Sequence, residues 1–165
     1  MMASKRIIRP LILLAFFGLF TSFSPCQAQT LPAFEMQLTN GKIFTNHDLQ
    51  RNRPVLLIYY APDCEHCQVL MTQILKNFTP FRKLQIVLVT FEPLSYAQSF
   101  ESTYQIKKYP NIISGMESPT FYFKNLYKLE NTPFTALFDR HHKMVISYRK
   151  MTPVGDLIAH IKKLK

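Results

Sequence analysis

Apolar positions along the chain follow two periods, and the alternation between them sets out the elements. Val55-Leu56-Leu57-Ile58-Tyr59-Tyr60 is an unbroken apolar run rich in branched and aromatic side chains, the pattern of a strand covered on both faces. Just beyond it, Cys67, Leu70, Met71, Ile74, Leu75 and Phe78 fall on one stripe of a helix that Pro80 ends. Ile86 to Phe91 reads as a second strand, followed by a more polar helical stretch from Tyr96 to Lys108 that Pro110 closes off. Upstream, Phe34, Met36 and Leu38 alternate within an extended lead-in over 31–46, where Asn40-Gly41 offers a tight hairpin turn. Thr45 to Leu49 then suggests a short capped helical turn.

In the second half, Phe134 to Phe138 predicts a strand, Asp139 to Lys143 a hairpin turn and Met144 to Tyr148 the antiparallel partner. A last helix follows Thr152-Pro153, read as cap and first-turn proline, with Val154, Leu157, Ile158 and Ile161 on one face. The intervening 111–130 is read as two short extended pieces, at Ile112-Ile113 and at Thr120 to Phe123, before a helix around Asn125 to Leu129. Strands and helices alternate, so the expected fold class is α/β.

A length of 165 residues suits one domain with a hydrophobic core. Lys5, Arg6 and Arg9 precede an apolar stretch from Leu11 to Phe20 and a small, polar stretch from Ser22 to Ala28, the layout of a secretory signal peptide. The apolar stretch is shorter than the roughly 20 residues that span a bilayer. Cleavage after Ala28 divides the chain into a signal peptide over 1–28 and a domain over 29–165, and places the domain in the periplasm or outside the cell. The variants of this arrangement are an uncleaved membrane anchor and a lipoprotein lipidated at Cys26, for which Phe23-Ser24-Pro25 is a poor lipobox. The formal charge of +10 is spread along the sequence, with Lys162, Lys163 and Lys165 as the only dense cluster. Cations there suit the last turn of a helix, so a solvated surface is expected and nucleic-acid binding is not.

The candidate chemistry is Cys64-Glu65-His66-Cys67, between the apolar strand and the amphipathic helix. Unpaired N–H groups and the positive end of the macrodipole at a helix N-terminus stabilise a thiolate, which makes Cys64 the candidate nucleophile. Two cysteines this close cannot staple a distant loop, so in an exported chain a redox or metal role is favoured over a structural bridge. A protonated His66 beside Cys64 would favour the thiolate, whereas Asp63 and Glu65 oppose it as negative charges.

These segments resemble the thioredoxin superfamily. The lead-in, Leu31-Pro32-Ala33-Phe34 through Asn40-Gly41-Lys42 to Asp48-Leu49, and the segment Ala61-Pro62-Asp63-Cys64-Glu65-His66-Cys67 resemble its exported TlpA/ResA-like, or redoxin, branch. The resemblance implies a thioredoxin-like three-layer α/β/α sandwich with a mixed central sheet and an N-terminal β extension. It implies a thiol-disulfide oxidoreductase in which Cys64 attacks, Cys67 resolves, and His66 tunes the pair toward an oxidant or isomerase. It also implies a cis bond at Thr132-Pro133, with the Thr132 backbone binding substrate and the Pro133 ring keeping metals off the thiols. Partners would be protein thiols or disulfides of the cell envelope and a membrane electron-transfer partner, with no cofactor beyond the cysteines. Departures from the pattern are Asp63 where a Trp is common, and Ile58 and Leu70 where relatives place acids. Glu92 is the nearby acid offered as a substitute.

Other readings use the same residues differently. Two thiolates and the His66 imidazole would suit copper or zinc in a soft-metal binding module. A client-binding module would hold proteins without turnover. A peroxidase would need a Thr-x-x-Cys setting, and Thr is absent there. His141-His142 is expected in the far hairpin turn, His47 and His160 at the surface, and Tyr59, Tyr60, Phe91 and the Phe-rich stretch from Phe121 to Phe138 in the core rather than in a cofactor box.

Overall fold

The computed structural model describes residues 30–164, so the expected signal peptide and Cys26 lie outside the described residues. Eleven elements follow in chain order: β1 (Glu35–Leu38), β2 (Ile43–Thr45), β3 (Val55–Tyr60), α1 (Glu65–Lys76), β4 (Gln85–Thr90), α2 (Leu94–Thr103), β5 (Ile112–Glu117), α3 (Tyr122–Tyr127), β6 (Phe134–Phe138), β7 (Met144–Arg149) and α4 (Val154–Lys163). The strands form one 7-stranded sheet in the order β2-β1-β5-β4-β3-β6-β7. Parallel pairing joins β3, β4 and β5, while β6 runs antiparallel to β3 and β1 antiparallel to β5.

The alternation of side chains along β3 builds both cores. Leu56, Ile58 and Tyr60 join Cys67, Leu70, Ile74, Phe100, Leu157 and Ile161 on the face covered by α1, α2 and α4. Val55, Leu57 and Tyr59 join Phe34, Met36, Phe123 and Phe134 on the face covered by α3 and the lead-in. Every residue of β3 is buried, as its continuous apolar run requires. This is the expected three-layer α/β/α arrangement with its N-terminal β extension.

Several boundaries differ from the pattern-based reading. The stretch 120–123 is not extended: β5 is a single strand to Glu117, Phe121 takes φ 50°, and α3 starts at Tyr122. The strand runs through Gly115 because β1 packs so close that a Cβ there would overlap the Gln37 carbonyl. The predicted helix over 96–108 ends at Thr103, since Gln105 adopts φ 51° before a short 3-10 turn that buries Ile106. Phe78 lies beyond α1, and Pro80 sits inside a 3-10 turn rather than next to the helix end. Thr152 does not cap α4; Pro153 occupies that position, and the Thr152 hydroxyl donates to Thr135 Oγ1 at 2.8 Å. The lead-in forms its hairpin, with Gly41 at φ 84°, and Thr45 and Asp48 close the expected capping box.

Candidate active site

Buried β3 delivers the chain to the edge of the sheet, where a turn closed by the Cys64 N–H on the Ala61 carbonyl at 3.1 Å leads into α1. Cys64 is the N-cap residue, and its carbonyl accepts from the N–H groups of Cys67 and Gln68, both at 3.0 Å. Its thiol makes no capping bond and sits at the positive end of a 12-residue helix. Cys67, one turn on, belongs to the buried stripe with Leu70, Met71 and Ile74. Both cysteines are in the thiol form, Cys64 half-buried and Cys67 only 2 % exposed.

Thr132-Pro133 is a cis peptide bond, as expected from the resemblance. It brings the Thr132 carbonyl to 3.5 Å from Cys64 Sγ, across 68 residues of sequence. Pro133 is buried, and its carbonyl accepts from the Lys150 N–H at 3.0 Å, so the loop is held from behind by the end of β7.

The two thiols are electrostatically unequal. Partial burial pushes the Cys64 thiol up, but hydrogen bonding with the Thr132 side chain, the Cys67 thiol and the N–H groups of Cys67 and His66 outweighs it, so Cys64 sits below the ordinary thiol value. Burial pushes Cys67 the other way, to about 12, and a hydrogen bond with Cys64 adds to that rise. Cys67 belongs to the same buried apolar cluster as Ile58 and Leu70. A buried polar group on its side of the sheet is the Tyr60 hydroxyl, 3.3 Å from Ser114 Oγ and pushed up to about 12 chiefly by burial.

The remaining expected residues take different places. His66 is exposed, and among the described residues its ring forms no hydrogen bond; its backbone N–H is what favours the Cys64 thiolate. Glu92 is half-buried just past β4, and its charge acts on Tyr59 rather than on either sulfur. Among the described residues no three His, Cys, Asp or Glu side chains gather to hold a metal ion. His141 and His142 occupy the β6–β7 turn at the opposite end of the sheet.

One buried acid escapes pattern reading. Glu117, 2 % exposed, accepts the Tyr59 hydroxyl and the Phe123 N–H, the latter at 2.8 Å, on the face of the sheet away from Cys67. Burial raises its pKa, partly countered by these two donors. A carboxylate in the tract Ser-Gly-Met-Glu carries no periodic signal that separates it from a loop acid.

A mixed sheet with a thiol pair at the start of its central helix defines a thioredoxin-fold thiol oxidoreductase. The model of the AhpC/TSA family matches residues 28–158, and the chain belongs to that family. No curated protein sequence matches. Among solved structures, the chain is similar to the thioredoxin domain of a thiol-disulfide oxidoreductase from Bacteroides vulgatus, with 16% identity, 85% of this chain and 98% of that one covered, and a TM-score of 0.67. It is also similar to a secreted disulfide oxidoreductase of Mycobacterium tuberculosis homologous to E. coli DsbE, with 14% identity, 79% and 96% covered, and a TM-score of 0.65. A third is the exposed lipoprotein thioredoxin of Streptococcus pneumoniae, with 19% identity, 81% and 100% covered, and a TM-score of 0.59.

Proposed function

We propose that this chain is an exported enzyme that exchanges disulfides with protein clients of the cell envelope through Cys64 and Cys67. The observation that carries this reading is the inequality of the thiols: one accessible and favoured as thiolate, the other buried and held as thiol. The Cys64 thiolate attacks one sulfur of a client disulfide and expels the other as a thiolate, giving a mixed disulfide. Cys67 loses its proton, attacks Cys64 Sγ, and releases the client's second thiolate. Two electrons pass from the Cys64-Cys67 dithiol to the client, and the reverse sequence oxidises a client dithiol.

In this reading the Thr132 backbone binds client main chain beside the sulfur, and Pro133 shields the thiols. Phe121 and Tyr122, both exposed at the same end of the sheet, extend the client-facing surface. His66 contributes its N–H to the thiolate, with its ring in solvent beside it. A membrane electron-transfer partner returns the pair to its working state, and the leader over 1–28 accounts for export. A stabilised Cys64 thiolate favours the dithiol form and so an oxidising potential. The test is trapping in intact cells: a Cys67→Ser variant accumulates mixed disulfides with envelope proteins, and a Cys64→Ser variant accumulates none. Equal trapping by both variants, or by neither, would overturn the assignment.

A further inference from the structure

Many of the lysines and arginines that are dispersed along the sequence are gathered by the fold at one pole, while Lys124, Lys128, Arg149 and Lys150 lie at the other. Strands β3, β4 and β5 run parallel, and Cys64 lies beyond the C-terminal end of β3. At the other end of the sheet, Arg82 and Lys83 precede β4, Lys107 and Lys108 precede β5, and Arg140 and Lys143 lie in the β6–β7 turn, all exposed. Helices α1 and α4 return to this end with Lys76, Lys162 and Lys163 in their last turns. Two acids lie near these cations, and both are outnumbered by them. Asp139 Oδ1 accepts the N–H groups of His141 and Lys143 at 2.8 and 2.9 Å, and Glu101 Oε1 accepts the Thr39 hydroxyl at 2.8 Å. Asp63, Glu65, Glu92 and Glu130 lie instead at the Cys64 end.

Within the basic pole is a cleft of about 460 Å³ whose walls include Arg53, Arg82, Lys108, Phe78 and Tyr109. Arg53 is fixed there by donating to Gln50 Oε1 at 2.6 Å, the Arg82 carbonyl at 2.7 Å and the Lys83 carbonyl at 3.3 Å. The chain also joins the fold at this pole. The Leu31 N–H donates to the His142 carbonyl at 2.8 Å, and Thr30 forms an antiparallel bridge with Lys143. The segment 1–29, with its apolar run from Leu11 to Phe20, therefore connects to the domain beside the basic residues.

We propose that the basic pole is a docking surface for an anionic bilayer, with the cleft seating a lipid phosphate and Cys64 directed away from the membrane. Lysines and arginines gain free energy near a negatively charged leaflet, and the gain falls off within a Debye length. The proposal concerns the chain that keeps residues 1–29 as an uncleaved anchor, where the apolar run contiguous with this pole favours a bilayer over a nucleic acid as the polyanion. The proposal is independent of the redox reading, because none of these residues touches either thiol.

The test is co-sedimentation of the full chain with vesicles of phosphatidylcholine alone and of an equimolar phosphatidylcholine–phosphatidylglycerol mixture. The expected result is preferential binding to the mixed vesicles that is released by added salt, a readout that needs no variant. Each basic residue held at an anionic surface contributes about fivefold to partition, so the Arg82→Glu/Lys83→Glu/Lys107→Glu/Lys108→Glu variant loses at least about 100-fold. A Lys124→Glu/Lys128→Glu/Lys150→Glu variant, altered at the Cys64 end, keeps most of its binding. Equal, salt-insensitive binding to both vesicle types would show that the apolar segment alone is responsible and overturn the proposal. So would a basic-pole variant that loses binding to duplex DNA while keeping its preference for anionic vesicles.

Discussion

Replacing Tyr59 with Phe removes one oxygen from a pair that is otherwise sealed. Tyr59 is 1 % exposed and Glu117 is 2 % exposed, so no solvent replaces the lost donor. The substitution leaves the Glu117 carboxyl with the Phe123 N–H at 2.8 Å as its remaining hydrogen-bond donor. A hydrogen bond to a charged group is worth about 1.5–3 kcal/mol, and that is the expected destabilisation near neutral pH. For a chain of this size it corresponds to a fall in melting temperature of about 3–12 °C. The pH dependence has a definite sign. Burial holds the folded-state pKa of Glu117 above its unfolded value, so its proton stabilises the fold at low pH, and that stability is lost as pH rises through the folded value. Loss of the Tyr59 donor raises the folded value further and widens the window. Urea titrations of the wild type and Tyr59→Phe at about pH 5 and about pH 7 measure both effects, and the deficit is larger at the higher pH. A deficit below about 0.5 kcal/mol, the range of an ordinary surface change, or one that is the same at both pH values, would refute the buried-pair argument.

Alkylation kinetics should separate the thiols: Cys64 reacts with a pH midpoint below that of a free thiol, while Cys67, pushed up to about 12, stays protected until the protein unfolds. Comparable rates for both would contradict the asymmetry on which the mechanism rests. Thr132→Ala should raise the Cys64 midpoint by removing a side chain that favours the thiolate, whereas His66→Ala should leave it nearly unchanged because the N–H is retained. A large shift for His66→Ala in the same assay would return the tuning role to the imidazole. Gly115→Ala should cost at least about 1–3 kcal/mol by forcing β1 off β5, measured by denaturant unfolding.

The central strand and the Cys67 stripe were legible because each rests on a local signal, an apolar run and a 3.6-residue period, whereas Thr132-Pro133 was placed by the resemblance to thioredoxin-superfamily proteins. The tract 111–130 was not, because its structure depends on distant partners. Ser114 and Gly115 break the β5 pattern, yet Gly115 suits the strand through its closeness to the Gln37 backbone. The start of α3 lies beside the Glu117 carboxylate, which accepts from Phe123, and no residue of the tract is a side-chain N-cap. The site's position followed from the motif, but its electrostatics did not. Which part of His66 serves the thiolate, and how far burial separates the two sulfurs, are set by the end of α1 and by Thr132 acting together.

The pairing of β6 bears on how long a client stays. Beyond Pro133 the strand is already bonded to β3 on one side and β7 on the other, so an extended peptide cannot add to the sheet there. Under the proposed function, main-chain recognition is confined to Thr132, just before the first paired residue. On that reading non-covalent affinity is low and nearly indifferent to client sequence, and residence time is governed by the mixed disulfide. On the same reading, once Cys67 resolves that bond, little else detains the product, and release follows the chemistry.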